Sequence, residues 1–161
     1  MGIRYLYLLV LMMLAAVAFC AEKYDGPRPP KPDVLYLVHA DNLVPTETAD
    51  AKEESKKDEA LYAVPGASSP ARTPVAEPIF LIQSEKVIPG RLELYRMEVK
   101  GGRREVTVSR GKRRGNARPL YLSVTKLDGN LYRVEASQPL EDGEYTISPN
   151  DSNHVFCFEV Y

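Results

Sequence analysis

Eight cations fall between positions 100 and 118: Lys100, Arg103, Arg104, Arg110, Lys112, Arg113, Arg114 and Arg118. Glu105 is the only acid among them, so the segment carries a local charge of +7, eight less one. The stretch Arg110-Gly111-Lys112-Arg113-Arg114-Gly115 is expected to project as a loop between strands. Such a loop offers an anionic polysaccharide, a lipid surface or nucleic acid a place to dock. Arg110, Lys112, Arg113, Arg114 and Arg118 are the candidate anion-binding residues. No aromatic residue interleaves the cations, so stacking on bases is not indicated. The plainer reading is a solvated loop balanced by the acids at 47–59.

The remaining chemistry is thin. His154 and Cys157 stand three apart in a β-type run, where such positions point to opposite faces and cannot share a ligand. Cys157 is expected on the Tyr145 side of its strand as a small buried hydrophobe. His39 and Asp41 can share a face, but two residues make neither a triad nor a metal shell. Carboxylates cluster at 47–59 and 141–144, both expected to be solvated, and paired-acid catalysis would have to come from them. The glycines form no phosphate-binding motif, and no cofactor or metal is expected. Asn150-Asp151-Ser152 matches an N-glycosylation sequon.

The N-terminus is built for export. Arg4 is followed by an uncharged run from Tyr5 to Phe19, long enough for the apolar core of a secretory signal and short of the roughly 20 residues that span a bilayer. Small residues gather at Ala15, Ala16 and Ala18, and the natural cut falls after Cys20. Val17-Ala18-Phe19-Cys20 also resembles the lipobox of bacterial lipoproteins, which implies lipidation at Cys20, although Phe19 stands where that box has a small residue. An uncleaved anchor is the third option. Removing residues 1–20 leaves 141 of the 161, enough for one domain, with 20 Lys and Arg against 22 Asp and Glu. Only Cys157 then remains as a thiol, so an internal disulfide is excluded. No transmembrane span is expected in the mature chain.

The elements that must position these residues divide at about residue 79. Residues 21–33 carry Pro27, Pro29, Pro30 and Pro32 and read as an extended linker. Residues 34–78 read as an extended region with two short strands, at 34–38 and 61–64, and a charged exposed loop over 46–60. Beyond Ile79 the pattern predicts strands over 79–83, 91–99, 104–109, 120–127, 131–137, 143–148 and 154–160, as in a sandwich or barrel. Gly101-Gly102 suits a two-residue hairpin that sets Val99 opposite Arg104, Met97 opposite Val106 and Tyr95 opposite Val108. At Asp128-Gly129-Asn130 the faces match only for a three-residue turn, with Val124 opposite Val134, Leu122 opposite Ala136 and a left-handed Asn130. The last two strands are expected to join through Pro149 to Asn153, with Ile147 opposite Val155 and Tyr145 opposite Cys157.

Leu140-Glu141-Asp142-Gly143-Glu144-Tyr145 resembles the tyrosine corner of immunoglobulin-like domains, where Leu, Gly and Tyr precede the sixth strand. The C-terminal half is thus similar to small exported bacterial immunoglobulin-like β-sandwich domains. The chain has no tryptophan and no cysteine pair, which excludes the antibody type. The fold hosts many roles and fixes none. The expectation is an exported, non-enzymatic antiparallel β-sandwich over 79–161, periplasmic, cell-envelope or extracellular, serving as an interaction or structural module for an envelope protein or an anionic polymer. A small carbohydrate-active hydrolase or accessory domain using exposed carboxylates is the alternative from another class.

Overall fold

The computed structural model describes residues 23–56, 59–109 and 117–161, with the side chains of Lys56 and Ser109 left aside. These residues form thirteen strands: β1 (Tyr36–His39), β2 (Asn42–Pro45), β3 (Glu47–Asp50), β4 (Lys52–Lys56), β5 (Glu59–Pro65), β6 (Arg72–Thr73), β7 (Ile79–Gln83), β8 (Leu92–Lys100), β9 (Arg103–Ser109), β10 (Leu122–Asp128), β11 (Leu131–Ala136), β12 (Gly143–Pro149) and β13 (His154–Val160). One 3-10 turn, Pro89–Arg91, precedes β8. The strands make a five-stranded sheet, β10-β11-β7-β1-β2, and an eight-stranded one, β3-β13-β12-β8-β9-β5-β4 with β6 beside β13. All the strand pairings are antiparallel except β6 with β13.

The main core lies between the two sheets. Strand alternation sends Phe156, Phe158 and Val160 of β13, Tyr145 and Ile147 of β12, and Leu92 and Leu94 of β8 toward Phe80, Ile82, Val134 and Leu37 of the smaller sheet. Phe158 meets Phe80 edge-on at 4.8 Å and stacks on Tyr145 at 5.6 Å between ring centroids. The exit from β7 is fixed by Asp33, whose carboxylate accepts the backbone N–H groups of Glu85, Lys86 and Val87. Burial works against that charge, but the three bonds outweigh it and hold the carboxyl below its ordinary value.

The larger sheet cannot be flat. Its edge strands β3 and β4 lie six inter-strand steps apart, about 29 Å if laid side by side at about 4.8 Å each. They are joined by Ala51 alone, which spans about 7 Å. The sheet therefore curls until its edges meet, and residues 47–56 form one kinked run that bonds β13 with its first half and β5 with its second. The result is a six-walled barrel that shares β8, β12 and β13 with the sandwich. On these shared strands one side-chain set faces the sandwich and the other the barrel, where Met97, Val155, Cys157, Ala51 and Val64 form a second core.

This arrangement corrects the expectation of a charged exposed loop over 46–60. Glu47, Ala49 and Ala51 turn into the barrel, while Thr48, Asp50 and Lys52 face solvent. With alanines as its inward apolar residues, the run has period-2 order but little hydrophobic contrast. Residues 34–78 likewise contribute β1 to β6 to the same two sheets as the later strands, so the boundary expected at 79 separates no pairing unit.

The hairpins show where local pattern suffices. Gly101 and Gly102 have φ of 58° and 76°, the left-handed pair a two-residue turn requires, and Val99 does meet Arg104. Pairing stops at Glu98 and Glu105, however, so Met97 and Tyr95 do not pair with β9: β8 continues along β12 while β9 follows β5. Val124 meets Val134 and Leu122 meets Ala136 as expected, but the expected three-residue turn is not formed. Asp128 pairs with Leu131, the turn is Gly129-Asn130 with Gly129 and not Asn130 left-handed (φ 54°), and a bulge between Lys126 and Asp128 takes up the extra residue. The last hairpin differs by one residue. Its loop is 150–153, with Asp151 left-handed at φ 60°, so Tyr145 meets Phe158, Ile147 meets Phe156, and Cys157 sits opposite Thr146. A slip of one exchanges faces. Cys157 is buried, but inside the barrel and not on the Tyr145 side.

Tyr145 is 1 % exposed and its hydroxyl donates to the carbonyl of Glu141 at 2.7 Å. Tyr145→Ala is expected to cost about 3–5 kcal/mol, and Tyr145→Phe, which loses only that bond, about 1 kcal/mol. Urea denaturation of both variants checks this; a loss below about 1 kcal/mol for the alanine variant would rule out a structural role for the ring.

Candidate functional site

The barrel interior is layered along its axis. At one end the guanidinium of Arg104, 1 % exposed, reaches across from β9. Nη1 and Nη2 donate to Glu47 of β3 at 2.6 and 3.0 Å, Nη2 and Nε to the carbonyls of Pro65 and Gly66 at 2.8 and 3.0 Å, and Nη1 to Ser69 Oγ at 2.5 Å. Glu144 of β12 lies 3.7 Å from Nη1 and accepts both the N–H and the hydroxyl of Ser69. Burial opposes the charge on Arg104, yet Glu47 and Glu144 outweigh it and hold the guanidinium protonated above its ordinary value. This cluster closes the barrel floor.

Above it lies the apolar layer of Val64, Met97, Val155 and Cys157. The Cys157 thiol donates to Thr146 Oγ1 at 3.7 Å, and burial pushes its pKa up to about 11. It is therefore protonated at neutral pH.

Among the described residues the other end is open. Where β8 and β9 part, the chain at 117–120 bridges the wall: Ala117 N–H donates to Thr107 and Leu120 N–H to Leu94. Inside this splayed wall is a cleft of about 750 Å³, within the range of ligand sites, which favour barrel mouths. Tyr62, Val106 and Val108 line one side, Glu93 and Tyr95 the other, and the loop 150–153 forms the rim. Tyr95 donates to Glu93 Oε2 at 2.7 Å; burial, then this carboxylate, drives the phenol pKa upward, so the proton stays on Tyr95.

The residues singled out in the sequence are dispersed. Arg110, Lys112, Arg113, Arg114 and Cys20 lie outside the described residues. Arg118 is exposed and makes no ion pair with a described carboxylate; it borders a shallower hollow beside Tyr121, which is 79 % exposed. Of the other cations in the segment, Lys100 pairs with Glu98 and Glu105, Arg103 with Glu54 and Glu105, and Arg104 is the buried floor. The acids at 141–144 are not uniformly solvated either. Glu141 binds Arg96 at 2.5 Å on the surface, while Glu144 is buried against Ser69 and Arg104. His154 faces away from Cys157 and lies 3.0 Å from Asp50. His39 and Asp41 are both exposed.

Two features escaped the sequence reading. The hairpin register already put Arg104 on the apolar face with Val106, which was a signal of a paired, buried charge. The cleft had no such signal, because its walls come from six strands spread over positions 52 to 160. No protein-family model, curated protein or solved structure matches the chain.

Two outcomes are expected. Arg104→Ala leaves Glu47 and Glu144 without their counter-charge and should lower stability by about 3–5 kcal/mol in urea denaturation. Cys157 should resist a thiol reagent in the folded protein at pH 8 and react fully in denaturant; rapid labelling of folded protein would contradict its burial.

Proposed function

We propose that this protein is an exported, non-enzymatic binding module whose ligand site is the open mouth of the barrel. The observation that carries the reading is the pairing of a floor sealed by Arg104 with a mouth held open where β8 and β9 diverge. A purely structural sandwich needs no second, one-ended cavity. Export is supported by the uncharged run Tyr5–Phe19 and the small residues before Cys20, with periplasm, envelope surface or medium as destination. None of the described residues forms a helix long and apolar enough to cross a membrane. The immunoglobulin-like reading of the C-terminal strands draws support from the buried Leu140 and the Tyr145–Glu141 bond. The strands β3 to β5 then extend that unit into a barrel.

A second reading places an anionic polymer or lipid surface on the basic segment, and exposed Arg118 beside exposed Tyr121 favours it. A hydrolase would instead have to work through cleft carboxylates such as Glu93.

Intact mass of the exported form is expected to begin at Ala21. Acyl chains on Cys20 would make it a lipoprotein, and retained Met1 would remove both export readings. Passed over its own cell-envelope extract, the protein should retain its ligand at low and high salt and lose it on Ser148→Trp, which fills the cleft. Retention that vanishes with salt and with Lys112, Arg113 and Arg114 changed to Ser would move the site to the basic segment.

A further inference from the structure

We infer that the ligand of the cleft is a neutral saccharide, a chemistry that rests on the binding-module reading above. The walls present hydrogen-bonding groups of both kinds. Glu93 has one carboxylate oxygen occupied by Tyr95, and its Oε1 has no partner among the described residues. That oxygen can only accept. The amide side chains of Asn150 and Asn153 on the rim both donate and accept, with Asn153 Nδ2 also reaching the Ala51 carbonyl at 3.5 Å, and the hydroxyl of Ser148 on β12 does the same. Between these groups lies apolar surface, Val106, Val108 and Val155, with the Tyr62 ring beside it.

Four ligand chemistries can be set against this surface. An acyl chain would bury the Glu93 carboxylate and the rim amides without hydrogen bonds, at a cost of several kcal/mol. An anion would face Glu93 and Asp151, and the described lining residues include no cation. An ammonium ligand satisfies the acids but brings only donors, leaving the amide and hydroxyl donors of the cleft with nothing to serve. A sugar matches both halves of the surface. Its hydroxyls donate to Glu93 and exchange bonds in both directions with the asparagines and the Ser148 hydroxyl, while the C–H face of its ring lies on the valines and against Tyr62.

The Tyr95 bond gives Glu93 its role. A carboxylate held in place by a buried phenol has lost its rotamer freedom before the ligand arrives, so less is lost on binding. Glu93 is thus the specificity-determining acceptor, and Tyr95 positions it.

The test is an NMR titration of the full exported chain with neutral oligosaccharides of glucose, N-acetylglucosamine, mannose and galactose at millimolar concentration, and separately with spermidine. At least one sugar should shift the amides of Tyr62, Tyr95, Val106 and Asn150 to Asn153 saturably, with spermidine inert. Glu93→Gln, which keeps an acceptor for Tyr95 and should keep the melting temperature, is expected to weaken that sugar about tenfold. Arg118→Ser should leave it unchanged. Spermidine shifting these amides while every sugar fails overturns the saccharide chemistry and leaves the cleft as a binding site. Silence from both overturns the cleft reading as well. Undiminished sugar affinity in Glu93→Gln overturns the role given to that residue.

Discussion

A single guanidinium inside a curled sheet sets the terms for the rest of the molecule. Arg104 comes from β9, Glu47 from β3, Glu144 from β12, and the two carbonyls it binds from the end of β5 and the residue after it. These elements lie on different walls of the barrel and are scattered over most of the chain. A buried ion pair contributes little net stability, because the loss of hydration offsets much of the attraction. What it does impose is discrimination: a register that misplaces any partner leaves a charge buried and uncompensated. The closed sheet is thereby specified where its small side chains, Ala49 and Ala51, provide little packing preference.

Closing the floor has a consequence at the opposite end. β8 and β9 are held together only at Glu98 to Lys100 and Arg103 to Glu105, next to the Arg104 cluster. Farther along, each strand has a better partner, β12 for one and β5 for the other, and the natural twist of paired strands carries the two apart. The segment at 117–120 satisfies backbone groups on both sides of the gap without filling it. The cleft is thus a product of strand pairing, supported by rigid walls, and its polar side chains sit on strands and a short loop.

The shared strands explain how 161 residues support both a sandwich and a barrel. In β13, Phe156, Phe158 and Val160 belong to one core, and Val155 and Cys157 to the other. Both faces are buried, so the run His154-Val155-Phe156-Cys157-Phe158 lacks the polar alternation of a half-solvated strand. That is also why its register was not legible. With apolar residues on both faces, pairing Tyr145 with Cys157 or with Phe158 satisfies the same pattern. The larger rings decide it, because Phe158 fits between Phe80 and Tyr145 and the small thiol fits the narrower barrel.

Local chemistry determined the strands beyond Ile79, the paired left-handed glycines at 101 and 102, the register of Leu122 and Val124 against Ala136 and Val134, and the buried hydroxyl of Tyr145. Each of these depends on neighbours within a few residues, so the pattern along the chain carries the information. The strands at 47–56 did not show in the sequence, because their partners, β13 and β5, supply the pairing and their inward residues are small or charged. The fate of the basic segment was divided in the same way. Charge could be counted from the sequence, but only the fold separated Arg104, which anchors the barrel floor, from Arg118, which faces water. The cleft was decided by tertiary structure alone, since Tyr62, Glu93, Val106, Ser148 and Asn153 meet only after the strands of the barrel have closed around a common axis.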